Sequence, residues 1–524
     1  MYPDGVPFLS VPYNFAFSLN VDWFQPYKRS MYAAGAIYLA VLNLPRAERF
    51  KSENILLVGV IPGPHEPELT INTFLKPLVE ELLQLWNGIL LNTEDNRPVL
   101  VRGALLCVAC DIPAARKVCG FIGHRALRGC SRCKKLFPTE KFGDMPDYSG
   151  FNREEWQLRT LSEHKTFARK YQVANTIAQQ KAIERESGCR YSVLLELPYF
   201  DPIRMCIVDP MHNLLLGTAR HMISLWTDLG LLSEDKLKDI QAKVDSFFTP
   251  GDIRHIPGKL SSGFSKLTAD QWRNWTIIYS LYCLKGILPI RHYNCWQLFV
   301  KACHLLCHRT ISLDQVHHAD ELLLEFCETF QTLYGKDYCN INVHLHGHIT
   351  ACVLDYGPVY SFWLFPFKRP NGILGSFHTN CHDISLQLMR RFLDTSDFGI
   401  DTWPSNYKDD FTPLIERCIY NKGSLMQTSL DCTPTTPGTN DGVEPLPPLL
   451  DSALEPHQKE SLAMTARAIH SDVPNIDKIE VLTVFLKCGA IKVGGILIGS
   501  EKGKHKPYSI VMAHPLQLDG PQLA

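Results

Sequence analysis

The run VLVRGALLCVAC (99–110) carries a single charge, Arg102, and ends on Asp111. An apolar stretch of that length, entered from the polar turn TEDNRP, reads as a strand covered on both faces. Such a strand needs neighbours, and the preceding residues supply them. AFSLNVD (16–22) reads as a strand ending in an acid. GAIYLAVLNL (35–44) and NILLVGVI (54–61) read as two more, separated by the polar PRAERFKSE. Residues 70–87 place apolar side chains at 71, 74, 75, 78, 79, 82, 83 and 86, the stripe of an amphipathic helix. The predicted order is a three-strand meander, a helix, then the buried strand.

Asp22 and Asp111 therefore stand at the ends of adjacent buried strands. Alone, Asp22 reads as an ordinary strand-end turn residue. Two carboxylates at one buried edge are costly unless a cation neutralises them, and Mg²⁺ or Mn²⁺ is held by one or two carboxylates plus substrate phosphates. This order of elements and acids resembles ribonuclease H-like nucleotidyl transferases, with Asp22 and Asp111 as catalytic candidates.

The 18 cysteines in 524 residues lack the density of a disulfide scaffold, and MYPDGVPFLSVPYNF is not an export signal. Reduced thiols, a nuclear or cytoplasmic rather than secreted chain, and no membrane association are expected. Cys130-Ser-Arg-Cys133 is half of a zinc site. His344-Leu-His346-Gly-His348 offers the other half, through His344 and His348 on a helix, or with His346 included on a strand. Coincidence and a solvated helix face are the bland alternatives. Cys107 and Cys110 on a strand point to opposite faces and read as core, as do Cys303, His304, Cys307 and His308 on a helix.

With 53 Lys and Arg against 54 Asp and Glu, net charge gives no reason to expect nucleic acid. A basic surface would be local, and Arg116, Lys117, Arg125, Arg128, Arg132, Lys134 and Lys135 form a run without an intervening acid. It reads as a DNA phosphate contact or as ordinary solvated surface.

Length implies several folding units. The sequence divides into the first part of the core with CxxC (1–135), a helical insertion (136–340), and the His cluster with a return to the core (341–423). A Pro/Thr-rich linker (424–460) and a small C-terminal α/β subdomain (461–524) follow. Thr268-Ala-Asp-Gln271 and Ser312-Leu-Asp-Gln315 read as capping boxes in the insertion. Asp209-Pro-Met-His212 reads as a helix cap with Pro at the first position, or as a site-lining pair.

The chain resembles DDE transposases of CACTA/EnSpm type (CMC superfamily). The resemblance runs from about residue 15 to 400 through LNVDWFQPY, VIPGPHEPEL, LKPLVEELLQLW, CDIPA, CSRC, DPMHNLLLGTARH and YSFWLFPFKRPNGILGSFHTN. It implies an α/β ribonuclease H-like core interrupted by a large all-helical insertion, a structural Zn²⁺ site of Cys and His pairs, and Mg²⁺- or Mn²⁺-dependent DNA cleavage and strand transfer. It also implies a Glu where this chain has Lys368, with Asp355 and Asp383 out of register. A catalytically degenerate derivative of a transposable element is expected, with DNA as partner and homo-oligomerisation left open. The alternative is a non-catalytic, zinc-stabilised nuclear module binding DNA or protein. Only 21 residues precede Asp22, so an amino-terminal DNA-binding module is expected to be missing.

Overall fold

The computed structural model describes residues 6–27, 32–51, 54–67, 70–92, 97–139, 145–246, 259–380, 383–397, 490–493 and 496–499. The chain divides into two units, 1–248 with 255–402, and 249–254 with 403–524.

The first unit is mixed α/β. Its strands are β1 (Asn14–Phe24), β2 (Ala34–Val41), β3 (Ile55–Ile61), β4 (Ile89–Asn92) and β5 (Pro98–Val108). They form one sheet of order β3-β2-β1-β5-β4, in which only the β1–β5 pair is parallel. Helix α1 (Arg46–Arg49) links β2 to β3, α2 (Ile71–Asn87) leads towards β5, and α3 (Ile112–Cys119) follows it.

Both faces are covered along β1, β2 and the second half of β5, which is why those strands read as unbroken apolar runs; the expectation of a strand buried throughout fails at the start of β5, where Leu100, like Leu90 and Leu91 of the edge strand β4, is exposed. Phe17, Leu19, Val21, Ile37, Leu39, Leu105 and Val108 pack with Leu75, Val79 and Leu82 of α2 and Ala115 and Val118 of α3. On the opposite face, Ala36, Tyr38, Ala40, Cys107 and Ala109 join the core of the helical stretch. Cys107 and Cys110 accordingly enter different cores. Helix α2 contains Pro77, which costs about 3 kcal/mol in a helix interior. It also buries Ile71, Leu75, Leu78, Val79 and Leu82. At roughly 2 kcal/mol each, that burial exceeds the Pro penalty, so packing decides the helix.

Beyond α3 come α4 (Leu161–Val173), α5 (Ile177–Ser187), α6 (Pro202–Met205) and a π-helical segment, Met211–Ala219, running into α7 (Arg220–Asp228). Then follow α8 (Glu234–Asp245), α9 (Ala269–Asn274), α10 (Ser280–Leu284), α11 (Ile290–Leu306), α12 (Leu313–Tyr334), α13 (Ile341–Tyr356), α14 (Lys368–Leu374) and α15 (Ile384–Asp397). Both capping boxes form, Thr268 with Gln271 and Ser312 with Gln315. Cys303 is buried and Cys307 half-buried, in keeping with packing, but His304 is exposed and His308 half-buried, so the two histidines are not core residues. One part of the stretch leaves the helical layer: Cys206 bridges to Val108 in parallel, and Ile207 N–H donates to the Val108 carbonyl at 3.3 Å. This continuation beside β5 carries no strand pattern in the sequence.

In the second unit the described residues are a hairpin of β6 (Ala490–Val493) and β7 (Ile496–Gly499). The expected linker, the helix before the hairpin and the strand at PYSIVMA lie outside the described residues.

Candidate active edge and metal centre

Strands β1 and β5 run parallel with Leu19 opposite Val108. Three further bonds extend the alignment: Ala109 N–H to the Leu19 carbonyl at 2.8 Å, Asn20 Nδ2 to the Ala109 carbonyl at 2.6 Å, and Val21 N–H to Cys110 Sγ at 3.1 Å. Asp111 stands just beyond β5 and Asp22 towards the same end of β1; the strand does not end at Asp22, as the sequence suggested, but runs on to Phe24 with Asp22 still paired with Ala36 of β2. Because Cys206 aligns with Val108, Asp209 reaches that end too.

Each acid has a distinct setting. Asp111 caps α3, its Oδ1 accepting the Ala114 N–H at 2.9 Å. Asp22 Oδ2 accepts from Asn371 Nδ2 at 2.7 Å and lies 3.4 Å from Lys368 Nζ. Tyr38 OH donates to Asn371 Oδ1 at 3.0 Å. Burial raises the Asp22 pKa above the usual carboxylate value; Lys368 and His212 work against this and Asp111 adds to it. Burial and the Asp22 charge likewise push the Tyr38 hydroxyl up, so it stays a donor. Buried Asp209 accepts the backbone N–H groups of Met211 (3.3 Å) and His212 (2.8 Å), the expected cap. It also accepts the Leu364 N–H at 3.0 Å and holds His212 Nδ1 at 2.7 Å. Asp355 is paired with Arg204, and Asp383 precedes α15.

The Cys and His pairs form the other site. Cys130, Cys133, His344 and His348 are all buried, and one ligand atom from each lies within 4.8 Å of the others. Among the described residues this is the one group of three or more potential metal ligands so closely gathered. The N–H groups of Arg132 and Cys133 donate to Cys130 Sγ at 3.3 and 3.4 Å, and Cys133 Sγ lies 3.5 Å from His344 Nε2. His344 Nδ1 and His348 Nε2 have no protein hydrogen-bond partner. A Cys₂His₂ donor set with uncommitted ring nitrogens fits tetrahedral zinc, so these four residues can hold a metal ion such as Zn²⁺.

Helix α13 places His344 and His348 one turn apart. It turns His346 towards Thr218 Oγ1, 2.9 Å from Nε2, and Cys327 Sγ, 3.6 Å from Nδ1, so His346 is not the alternative ligand that an extended segment would make it. Burial pushes the His344 pKa down to about 4 and that of His346 to about 3, so both rings are neutral near pH 7. Trp156 lies across the pair, its ring centroid 4.4 Å from that of His344 and 5.3 Å from that of His348. Gly347 permits this, because a Cβ there would come within 2.6 Å of the indole. Arg159 Nε clasps the carbonyls of Cys130 and Cys133 at 2.8 and 3.2 Å.

The basic run is spread over several tasks. Arg116 is buried and donates to the Gly129 carbonyl; Arg132 is buried with a nitrogen 2.8 Å from Cys352 Sγ. Lys117 pairs with Glu66, Lys134 with Glu163, Lys135 donates to the carbonyls of Ser149 and Gly150, and half-buried Arg128 donates to that of Lys134. Arg125 is the exposed member. Absence of acids in the sequence run did not reveal acids contributed from elsewhere.

Tyr38, Trp156 and Arg159 were not marked by the sequence as site residues. Asn371 could have been, since it lies three residues after Lys368 on the same helical face. No curated protein matches the chain. Residues 6–148, which build the sheet, both edge acids and the Cys130/Cys133 pair, match the model described as transposase family tnp2, and this supports a transposase family for the chain.

Proposed function

We propose that the protein is a CACTA-like, transposase-derived DNA-binding protein on a ribonuclease H-like (DDE) core whose strand-transfer chemistry has decayed. The observation that carries this reading is Lys368 Nζ at 3.4 Å from Asp22 Oδ2. The resemblance puts a metal-binding Glu at position 368, and α14 delivers that position beside Asp22. Also in its support are the antiparallel meander, the parallel return strand and the tnp2 match.

Asp22 and Asp111 are hard oxygen donors suited to one Mg²⁺ or Mn²⁺. Asp22 Oδ2, however, is already engaged by an amide and an ammonium. A two-ion mechanism activates the attacking oxygen at one ion and stabilises the leaving oxygen at the other, so a fixed positive charge at the third position opposes it. Asp111 gives Oδ1 to the cap of α3, which leaves its other oxygen for a cation, and the Asp209–His212 pair lines the same edge.

The test is cleavage and joining of DNA bearing CACTA-type ends with Mn²⁺. Wild type should be inert and Lys368→Glu should recover weak nicking. Metal-dependent cleavage by wild type that vanishes in Asp111→Ala would overturn the decay. The non-catalytic alternative gains from the closed Cys/His cluster, which can support a binding scaffold whatever the state of the acidic edge.

A further inference from the structure

Two arginines from distant segments meet on one tyrosine ring. Arg46, the first residue of α1, has its guanidinium carbon 4.2 Å from the centre of the Phe50 ring and 4.3 Å from that of Tyr360. Arg309, in the turn between α11 and α12, stands 5.8 Å from the centre of the same Tyr360 ring. We propose that Arg46 and Arg309 form a phosphate-binding site that takes the backbone of a DNA duplex.

Arg46 is a fixed donor with nothing to donate to. Its Nε–H bonds to the Tyr360 carbonyl at 2.9 Å, while its two terminal nitrogens meet no acceptor and no carboxylate among the described residues. The side chain is half-buried, and burial lowers its pKa to about 10, which leaves it charged near pH 7. A partly desolvated cation without a counter-ion is costly, and an arriving anion offsets that cost. Because the guanidinium is already immobilised, little rotamer freedom is lost when its free N–H groups take two phosphate oxygens. Arg309 is exposed and has no ion pair or hydrogen bond among the described residues. The neighbouring charges do not cancel the pair. Arg49 donates to the Leu42 and Leu44 carbonyls rather than to an acid, and Glu48 is held by Lys51 at 2.6 Å.

The site lies on the face of the sheet that carries the Asp22 side chain. Val21 packs into the α2/α3 core, whereas Asp22 reaches Asn371 and Lys368 on the opposite face, where Tyr38 also lies. Phe50 and Tyr360 pack against the core of that same face. The Phe50 ring is 5.6 Å from that of Phe367, which directly precedes Lys368. A duplex lying across this face would meet the two guanidinium groups with phosphates remote from the one at Asp22. The inference rests on the DNA reading above for the source of the phosphate, not for the binding of the group itself.

The experiment uses the full chain, a fluorescent DNA duplex titrated across a salt series, and dTMP read by its effect on melting temperature. Arg46→Gln with Arg309→Ala should bind the duplex about tenfold more weakly, with a log-affinity against log-salt slope smaller by about 1.8, the value for two lost phosphate contacts. Arg309→Glu changes only an exposed side chain; it should weaken binding in the same direction and serves if the double variant fails to fold. Unchanged affinity and slope in a folded variant while wild type binds the duplex would sink the site and leave the DNA reading standing. If wild type binds no duplex but dTMP raises its melting temperature and not that of the variants, the phosphate site stands and the DNA source is lost. If neither probe binds wild type, both are overturned.

Discussion

The Cys/His cluster and the acidic edge are both places where distant segments meet, yet they are built on opposite terms. In the cluster, four ligands face one another in the interior, Trp156 covers them, and Arg159 fixes the two carbonyls behind them. At the edge, Asp22 is met by an ammonium and an amide, and Asp111 is committed to a helix end. A closed ligand set depends only on its own four residues and is kept by folding stability. An open edge depends on a further side chain, and a change at that one position alters its chemistry while leaving the fold alone.

The largest expected effect falls on the closed site. Cys130→Ser with Cys133→Ser should lose about one zinc per chain and melt about 10 °C lower or more, because several kcal/mol of folding energy go with a structural ion. Zinc analysis and calorimetry measure this. Asp22→Asn should leave zinc content as in wild type; if it lost the metal too, the two regions would not be separable.

Next is Lys368→Gln, which removes the ammonium beside Asp22. Mn²⁺ binding at the edge, followed by electron paramagnetic resonance, should tighten about tenfold or more, since a unit charge at about 4 Å and an effective dielectric near 20 opposes a cation by more than the 1.4 kcal/mol of a tenfold change. Unchanged Mn²⁺ affinity would mean that Lys368 does not occupy the cation's place.

A smaller effect concerns pH. The Asp22 pKa is raised by burial, so the folded protein holds this proton more tightly than the unfolded chain does. Its favourable contribution is present below the unfolded value and is lost as pH rises through the folded one. Asp22→Asn should therefore gain stability relative to wild type at pH 7, with the gain fading towards pH 3.5; urea melts at both pH values decide it.

The smallest effect separates the members of the basic run. Arg125→Ala should lower the salt slope of duplex binding by about 0.9, one phosphate contact. Arg132→Ala should leave the slope alone and destabilise the fold, because its guanidinium is buried against Cys352. Equal slopes for the two variants would restore a uniform patch.

What was legible in the sequence follows from range. The strands of the meander, α2 and both capping boxes are written in local periodicity and cap chemistry, and they form within a few residues of their expected bounds. The pairing of Cys130 and Cys133 with His344 and His348 was accessible because ligand type restricts the partners, but the choice against His346 required knowing that the segment is helical. The basic run was read too uniformly, since Glu66 and Glu163 come from other segments. Strand β4 and the Cys206 continuation were missed because their pairing is set by tertiary neighbours. Tyr38 was indistinguishable from its strand's other core residues until Asn371 arrived from 333 positions away.

The single hydrogen bond from Leu364 N–H to Asp209 has a consequence for how this molecule can vary. It joins positions 155 residues apart, so everything between them is an excursion whose departure and return are fastened at one carboxylate. The Cys and His pairs fasten an overlapping excursion, between 133 and 344, which shares the stretch 209–344 with the first. Doubling a flexible loop between fixed ends costs only about 0.6 kcal/mol in closure entropy. The links between helices α7 to α12 are therefore where length can vary without displacing Asp22 or Asp111, so long as the helices keep the buried faces they share with Ala36 and Tyr38. A homologous block exchanged between the two fasteners should transplant as a cassette.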